Sequence, residues 1–238
     1  MNSRFLTIIF PFLLPGILSA QTRAFDCGAG KDFSKEKGSE TVTRVQSEYA
    51  KVSSLRAKFY QDSYLAALET SELSSGVVSF VKPGKMKWEY AEPEKQEFTI
   101  RDNTLWLYQI ADNQVVIDDF SQVVISDLPV SFLMGIGNLK EDFLLTSSCQ
   151  NSDGIVLELA PKKKGEESSG KGELQALRLL VSPASFLPIG AKVIDVAGNV
   201  TAIILKEIEK SPSLSDSLFE TIFPKGTDVS DRRTMKEE

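Results

Sequence analysis

A short alternating stretch between two turns constrains the fold of this chain most strongly. Residues 82–84 read Lys-Pro-Gly, which is turn chemistry because proline presets φ and glycine accepts a positive φ. Over residues 85–90, charged and large apolar side chains alternate strictly, so they fall on opposite faces of an extended strand. The apolar members are Met86, Trp88 and Tyr90. Pro93, which has no N–H for a ladder, ends the strand, and the stretch predicts one solvated and one strongly apolar face.

Short strands separated by turn signals recur from residue 55 to residue 208. Their regular spacing favours an antiparallel sheet over βαβ units. Residues 39–52 instead place apolar side chains three and four positions apart, which predicts an amphipathic helix. We therefore expect a mainly β protein of the α+β class, in which about ten strands form one curved antiparallel sheet that wraps toward an incomplete β-barrel. Residues 39–230 are predicted to form its single domain.

The N-terminus has the pattern of a signal peptide. Arg4 precedes an apolar run over residues 5–18, which is shorter than the roughly 20 residues of a membrane span and suits a signal-peptide core. We predict that residues 1–20 are the signal peptide; an uncleaved anchor is the alternative. Residues 21–38 are polar and contain glycine, so they are expected to form a flexible N-terminal tether. Residues 231–238 are expected to form a polar tail.

The composition excludes several classes of function. The 238-residue chain contains no histidine, which removes the commonest general base, the commonest metal ligand, and the Ser-His and Cys-His nucleophile pairs. An enzyme would have to work with carboxylates, lysines or hydroxyls, and a secreted hydrolase that uses carboxylates is disfavoured because the sequence offers no convincing acidic pair in an apolar pocket. We therefore predict no catalytic residue, no metal site and no cofactor. The formal net charge of −6 disfavours a nucleic-acid partner, because nucleic-acid phosphates attract basic proteins.

The chain contains two cysteines, Cys27 and Cys149. In an exported protein they meet an oxidising compartment, where disulfides form and persist. A bond between them would tie the N-terminal tether to a strand. Sequence alone does not establish the distance that such a bond requires, so the bridge is left open at this point.

A second helical pattern, over residues 128–139, interrupts the strands. Pro129 suits a first helical turn, and apolar residues cover almost the whole circumference of the predicted helix. Gly135 and Gly137 each weaken such a helix by about 1 kcal/mol relative to alanine. A buried helix and a mobile apolar lid are both consistent with this pattern.

The large apolar residues of the central strands have two interpretations. They recur at every second position of neighbouring strands and are expected to line one inner face. The set comprises Met86, Trp88, Tyr90, Phe98, Ile100, Trp106 and Tyr108. Core packing is the ordinary role of aromatic strand residues. A half-closed sheet with an apolar helix over it would instead enclose a ligand pocket, and the pattern at residues 128–139 favours that second interpretation.

Four segments resemble, in order, those of a known family. Residues 80–93 read Phe-Val-Lys-Pro-Gly-Lys-Met-Lys-Trp-Glu-Tyr-Ala-Glu-Pro and closely resemble the signature of the LolA family, periplasmic carriers of outer-membrane lipoproteins. Residues 55–61 are similar to the family's first strand with its Phe-x-Gln, and residues 102–108 to its Asp-Gly-x-x-Leu-Trp-x-Tyr. Residues 223–229 resemble its C-terminal Pro-x-Gly-x-x-Val. The resemblance extends over about residues 39–230.

The resemblance implies an incomplete barrel of about eleven strands with an α-helical lid over an apolar cavity for acyl chains. It implies a monomeric, non-enzymatic shuttle in the periplasm. Such a shuttle accepts lipoproteins from an inner-membrane ABC exporter of the LolCDE type and delivers them to an outer-membrane acceptor. A lipid- or lipoprotein-binding sensor of the envelope and a glycolipid carrier on the same fold are the alternatives.

Cavity and latch positions follow from the same resemblance. The residues expected to line the cavity are Phe59, Met86, Trp88, Tyr90, Phe98, Trp106, Phe132, Leu133, Met134, Ile136 and Leu139. The family often has an arginine before the signature proline, and that arginine holds the lid shut through backbone carbonyls. This chain has Lys82 there. Lysine offers a point charge with three donors in place of a planar fork, and we expect it to act as the lid latch.

Overall fold

The computed structural model describes residues 22–120, 138–162 and 174–234. The predicted signal peptide, residues 128–137 of the predicted lid helix and residues 235–238 of the predicted polar tail lie outside these ranges. Within the described ranges, no helix is long and apolar enough to cross a membrane.

The described strands form one thirteen-stranded sheet. Their bounds are β1 (Lys31–Asp32), β2 (Ser54–Leu65), β3 (Thr70–Val81), β4 (Lys85–Glu92), β5 (Gln96–Arg101), β6 (Thr104–Gln109), β7 (Gln114–Asp119), β8 (Phe143–Gln150), β9 (Ile155–Pro161), β10 (Leu174–Val181), β11 (Pro188–Asp195), β12 (Val200–Lys210) and β13 (Asp228–Asp231). The α-helices α1 (Lys35–Ala50) and α2 (Leu139–Asp142) accompany them.

The strand order is β1-β8-β9-β10-β11-β12-β2-β3-β4-β5-β6-β7-β13. Neighbours pair antiparallel except β7 and β13, which run parallel. Because β1 and β13 lie at opposite ends, the sheet is open, and the predicted mainly β fold with an incomplete barrel is confirmed. The sheet has two strands more than the eleven that the resemblance implies, and these are β1 and β13, which are too short to leave a periodic pattern in the sequence.

Helix α1 begins earlier than predicted and packs on the inner face of the sheet. Its N-cap is Ser34, whose side-chain oxygen accepts a hydrogen bond from the backbone N–H of Lys37 at 3.3 Å; such a cap satisfies one of the free donors of a helix start. Val42, Val45 and Tyr49 form its buried face and join the main apolar cluster of the protein. The apolar spacing that predicted this helix is therefore confirmed.

The N-terminal strap, defined as residues 22–33, crosses the outer face of the sheet and corrects the prediction of a flexible tether. Phe25 is fully buried in a second apolar cluster with Leu180 of β10 and Ile204 of β12. The disulfide that the sequence left open is present between Cys27 and Cys149, with Cα atoms 5.7 Å apart. The polar composition of this segment was misleading because one phenylalanine and one cysteine suffice to fix it on the sheet.

The C-terminal strap, defined as residues 211–231, covers the outer face over the strands β2 to β7. Asp216 accepts a hydrogen bond from Nζ of Lys85 at 2.7 Å, and the 3₁₀ turn Asp216–Phe219 contacts β4 and β5. Phe219 is only 1% exposed, and Phe223 meets the ring of Tyr108 edge-on with centroids 5.2 Å apart. The strap ends as β13 alongside β7.

Candidate functional site

An aromatic cluster lies at the centre of the inner face. The Phe59 ring meets the Trp88 ring with centroids 4.6 Å apart and the Tyr90 ring at 4.9 Å, both in edge-to-face geometry. Nε1 of Trp88 donates to Sδ of Met86 at 3.0 Å, so the indole N–H has a partner in an apolar environment. Phe98 pairs with Trp88 across β4 and β5. These five residues, all predicted to line the cavity, belong to one apolar cluster.

Gly76 gives the aromatic cluster its space. It pairs with Phe59 on β2 and with Tyr90 on β4. A Cβ at this position would lie 2.9 Å from the Phe59 ring and would collide with the carbonyl oxygen of Glu89. Sequence reasoning missed this residue, although an isolated glycine within a strand pattern is a signal of close approach.

The prediction that Trp106 lines the cavity is wrong, because the β5–β6 turn sets a register that turns it outward. Residues 102–103 both have positive φ, 50° and 63°, as a two-residue hairpin turn requires. In the resulting register Leu107 pairs with Phe98 and shares its inward face. Trp106, one position earlier, faces outward, and so does Tyr108, since successive side chains alternate between the two faces.

Lys82 holds the C-terminal turn of α1. Its Nζ donates to the carbonyl oxygen of Tyr49 at 2.7 Å and lies 3.7 Å from the centroid of the Tyr49 ring. Burial lowers the pKa of Lys82 to about 8, so the side chain is still charged at neutral pH. A positive charge is favourable both at a helix C-terminus and over an aromatic face. The expected latch thus contacts α1, whereas residues 128–137 of the predicted lid helix lie outside the described residues.

Two further contacts connect α1 to its surroundings. Oε1 of Gln46 accepts a hydrogen bond from the backbone N–H of Leu139 at 2.9 Å. The guanidinium of Arg44 lies 3.8 Å over the ring of Phe186, in the connection between β10 and β11. Leu139, which was predicted to line the cavity, is buried in the main apolar cluster. Sequence reasoning did not single out Arg44, Gln46 or Phe186, because their partners are remote along the chain.

The remaining cavity predictions lie outside the described residues. They concern Phe132, Leu133, Met134 and Ile136. In the part of the chain that the structure describes, no group of three or more Cys, Asp or Glu side chains is arranged to hold a metal ion. What the inner face offers is an apolar, aromatic surface, which suits hydrocarbon groups.

Together these features define a class of protein: an open antiparallel sheet that wraps an apolar interior and carries a helix on its inner face. Residues 50–221 match the family model described as outer membrane lipoprotein carrier protein LolA. The chain belongs to the LolA family, and the resemblance that its sequence motifs indicated is confirmed.

Two relatives agree with this assignment, and one solved structure shares the fold. The outer-membrane lipoprotein carrier protein of Methylobacillus flagellatus is 26% identical over 195 residues, which span 79% of this chain and 87% of that protein. The protein of the same name from Legionella pneumophila (strain Corby) is 28% identical over 199 residues, 83% of this chain and 93% of its own. A crystal structure of an uncharacterized conserved protein from Thermus thermophilus has a TM-score of 0.51 at 17% identity, covering 82% of this chain and 99% of that one. This last likeness concerns the fold alone.

Proposed function

We propose that this protein is a periplasmic carrier that binds the acyl chains of lipoproteins and moves them between membranes. The observation that carries the proposal is the buried inner-face cluster of Phe59, Met86 and Trp88, which belongs to the same apolar cluster as the buried side of α1, in a chain of the LolA family. Relatives that bear the name of lipoprotein carriers support it. Carrying a lipoprotein requires binding and release but no formation or cleavage of a covalent bond, so we propose a non-enzymatic, monomeric carrier.

The proposed source and destination of the cargo complete this function. An inner-membrane ABC exporter of the LolCDE type would supply the lipoprotein, and an outer-membrane acceptor would receive it. The predicted signal peptide supports a periplasmic location, and the disulfide between Cys27 and Cys149 is consistent with an oxidising compartment.

The large binding free energy of acyl chains requires a cavity whose opening costs free energy. Each CH₂ group removed from water contributes about 0.8 kcal/mol, so several chains in a rigid, preformed pocket would bind too tightly to be released. Here Met86 and Trp88 are buried, so acyl chains gain access to them only if the groups that cover the inner face move, and we propose that α1 is one of these groups. Displacing α1 breaks the contacts of Lys82 with Tyr49, and this cost lowers the net affinity for cargo.

A release assay tests the proposed function directly. Spheroplasts that export a tri-acylated lipoprotein are incubated with the purified mature protein, and the soluble fraction is examined for a one-to-one complex. We expect release that requires intact acyl chains. If no lipoprotein is released although the protein binds a fluorescent fatty acid, the carrier function is wrong, and the sensor or glycolipid carrier becomes the better explanation.

A further inference from the structure

Strand β3 extends beyond the strand that flanks it on one side. It pairs with β2 from Thr70 to Val81, whereas β4 pairs with it only from Ser75 onward. Residues 70–74, which we name the β3 edge, therefore have no neighbouring strand on that side within the described ranges.

The backbone of the β3 edge directs hydrogen-bonding groups to this open side. The N–H of Lys82 donates to the carbonyl oxygen of Ser53 at 2.8 Å, and the β2–β3 register continues from there without a shift. Hydrogen-bonded pairs alternate along an antiparallel ladder, so even-numbered residues of β3 bond to β2. The N–H and C=O groups of Ser71 and Leu73 consequently point away from β2, within the plane of the sheet and toward the open side. An unpaired edge of this kind is a template for an added strand.

Exposed apolar side chains surround the β3 edge. Half of the large hydrophobic residues that are exposed in the described part of the chain lie in this one hairpin. They are Tyr60, Tyr64, Leu65, Leu68 and Leu73. Tyr60 and Tyr64 lie diagonal to Leu73 on the outer face, because Leu73 pairs with the residue between them. An exposed apolar cluster beside an open edge is typical of an interaction site.

The charges around the β3 edge, and the backbone groups of the edge itself, favour a protein over a membrane as the partner of the β3 edge. Glu69, Glu72 and Glu92 are exposed at its margin, and they would be repelled by the anionic surface of a bilayer. Insertion into hydrocarbon would also leave the outward N–H and C=O groups of Ser71 and Leu73 unpaired, which is costly. A polypeptide strand satisfies these groups, and basic side chains on it would complement the glutamates.

We propose that the β3 edge docks an extended segment of the membrane protein that supplies the cargo, a segment with apolar and basic side chains that adds one strand next to residues 70–74. The proposal rests on the proposed function, because it concerns the transfer of cargo to this carrier. It assigns loading to the hairpin end of β3, whereas Lys82 lies at the opposite end of the same strand.

The test compares three variants with the wild-type protein in the spheroplast release assay. Leu73→Pro removes an outward N–H but no bond to β2, so it is tolerated on an edge strand; Leu73→Ser keeps the N–H and removes only the apolar side chain. Leu144→Ser is the matched control, since Leu144 is also an exposed leucine of the sheet. We expect release to fall roughly tenfold with Leu73→Pro and about threefold with Leu73→Ser, and to stay unchanged with Leu144→Ser. Thermal melts and binding of a dansyl-labelled fatty acid, unchanged in all three, would show that the fold and the inner face are intact.

Several outcomes would overturn the proposal. Wild-type release by Leu73→Pro would refute the docking role while leaving the carrier function in place. If wild type and Leu144→Ser both release nothing, the carrier function itself fails, and the docking role fails with it. Flotation of the wild-type protein with vesicles of phosphatidylethanolamine and phosphatidylglycerol, lost in Leu73→Ser, would identify a bilayer as the occupant. A wild-type dimer that Leu73→Pro dissociates would identify a second copy of the chain instead.

Discussion

Each face of the sheet packs against other parts of the chain, but by different means. The inner face presents apolar residues of the strands themselves, and α1 packs on this face through its own apolar side and through the contacts of Lys82 and Gln46. Parts of the outer face are covered by the N-terminal strap, which a disulfide fixes, and by the C-terminal strap, which buried Phe219 and pairing with β7 fix. Because no covalent bond holds α1 on the inner face, α1 can move and an acyl chain can take its place. The two straps on the outer face keep the open sheet folded during this movement. The comparison predicts that binding and stability can be changed separately.

The largest effect is expected for a charge on the inner face. Met86→Glu should abolish binding of a dansyl-labelled fatty acid and lower the free energy of unfolding by roughly 3 kcal/mol or more, because it buries an unpaired carboxylate. Leu144→Glu adds the same charge at an exposed leucine and should bind like the wild type. Fluorescence titration measures fatty-acid binding, and denaturation followed by circular dichroism measures stability. Full binding by a folded Met86→Glu protein would refute the assignment of the inner face as the acyl-chain site.

Removal of the disulfide should affect stability alone. The bond joins residues 122 positions apart, and replacing both Cys27 and Cys149 by serine is expected to lower the free energy of unfolding by about 4 kcal/mol. Urea denaturation measures this loss, and the wild-type protein treated with a reductant provides the comparison. Fatty-acid affinity at 25 °C should not change; a parallel loss of affinity would mean that the two faces are coupled.

A smaller loss is expected from the C-terminal strap. Phe219→Ala removes a fully buried ring from the outer face and should cost about 3 kcal/mol of unfolding free energy, with fatty-acid binding retained. Ile222→Ala is a matched truncation in the same strap, at a residue that is 85% exposed, and should change stability by less than about 0.5 kcal/mol. Equal losses from the two variants would contradict the role assigned to Phe219.

The smallest effect on stability, about 1 kcal/mol, is expected from Lys82→Met, which removes the hydrogen bond and the cation–π contact to Tyr49. Its signature should be local. Hydrogen–deuterium exchange should accelerate in the C-terminal turn of α1, and release of bound lipoprotein to an acceptor should slow because the closed state is weaker. Lys51→Met, at an exposed lysine of the same turn, should leave exchange unchanged. Protection of α1 at the wild-type level in Lys82→Met would show that Lys82 is not its latch.

Sequence predicted the parts of this structure that depend on local periodicity. Alternation placed Met86 and Trp88 on one face, and apolar spacing identified the buried side of α1, since both patterns follow from the geometry of a single element. Trp106 was misplaced because its face depends on how a two-residue turn sets the register with the neighbouring strand. The N-terminal strap was missed for a related reason: Phe25 is buried by strands more than a hundred residues away, and no local pattern records that.

The strand order has a consequence for how the chain is made. The middle of the sheet is the pair β2 and β12, in which Phe59 faces Leu205, so its two halves join only after nearly the whole sequence is available. A chain that emerges N-terminus first, from a ribosome or a membrane channel, exposes the apolar sides of β2 to β7 for most of its synthesis. Such delayed, long-range pairing slows folding and exposes a nascent chain to aggregation. We therefore expect that this proposed carrier of acyl chains itself needs protection from aggregation until β12 has been synthesised.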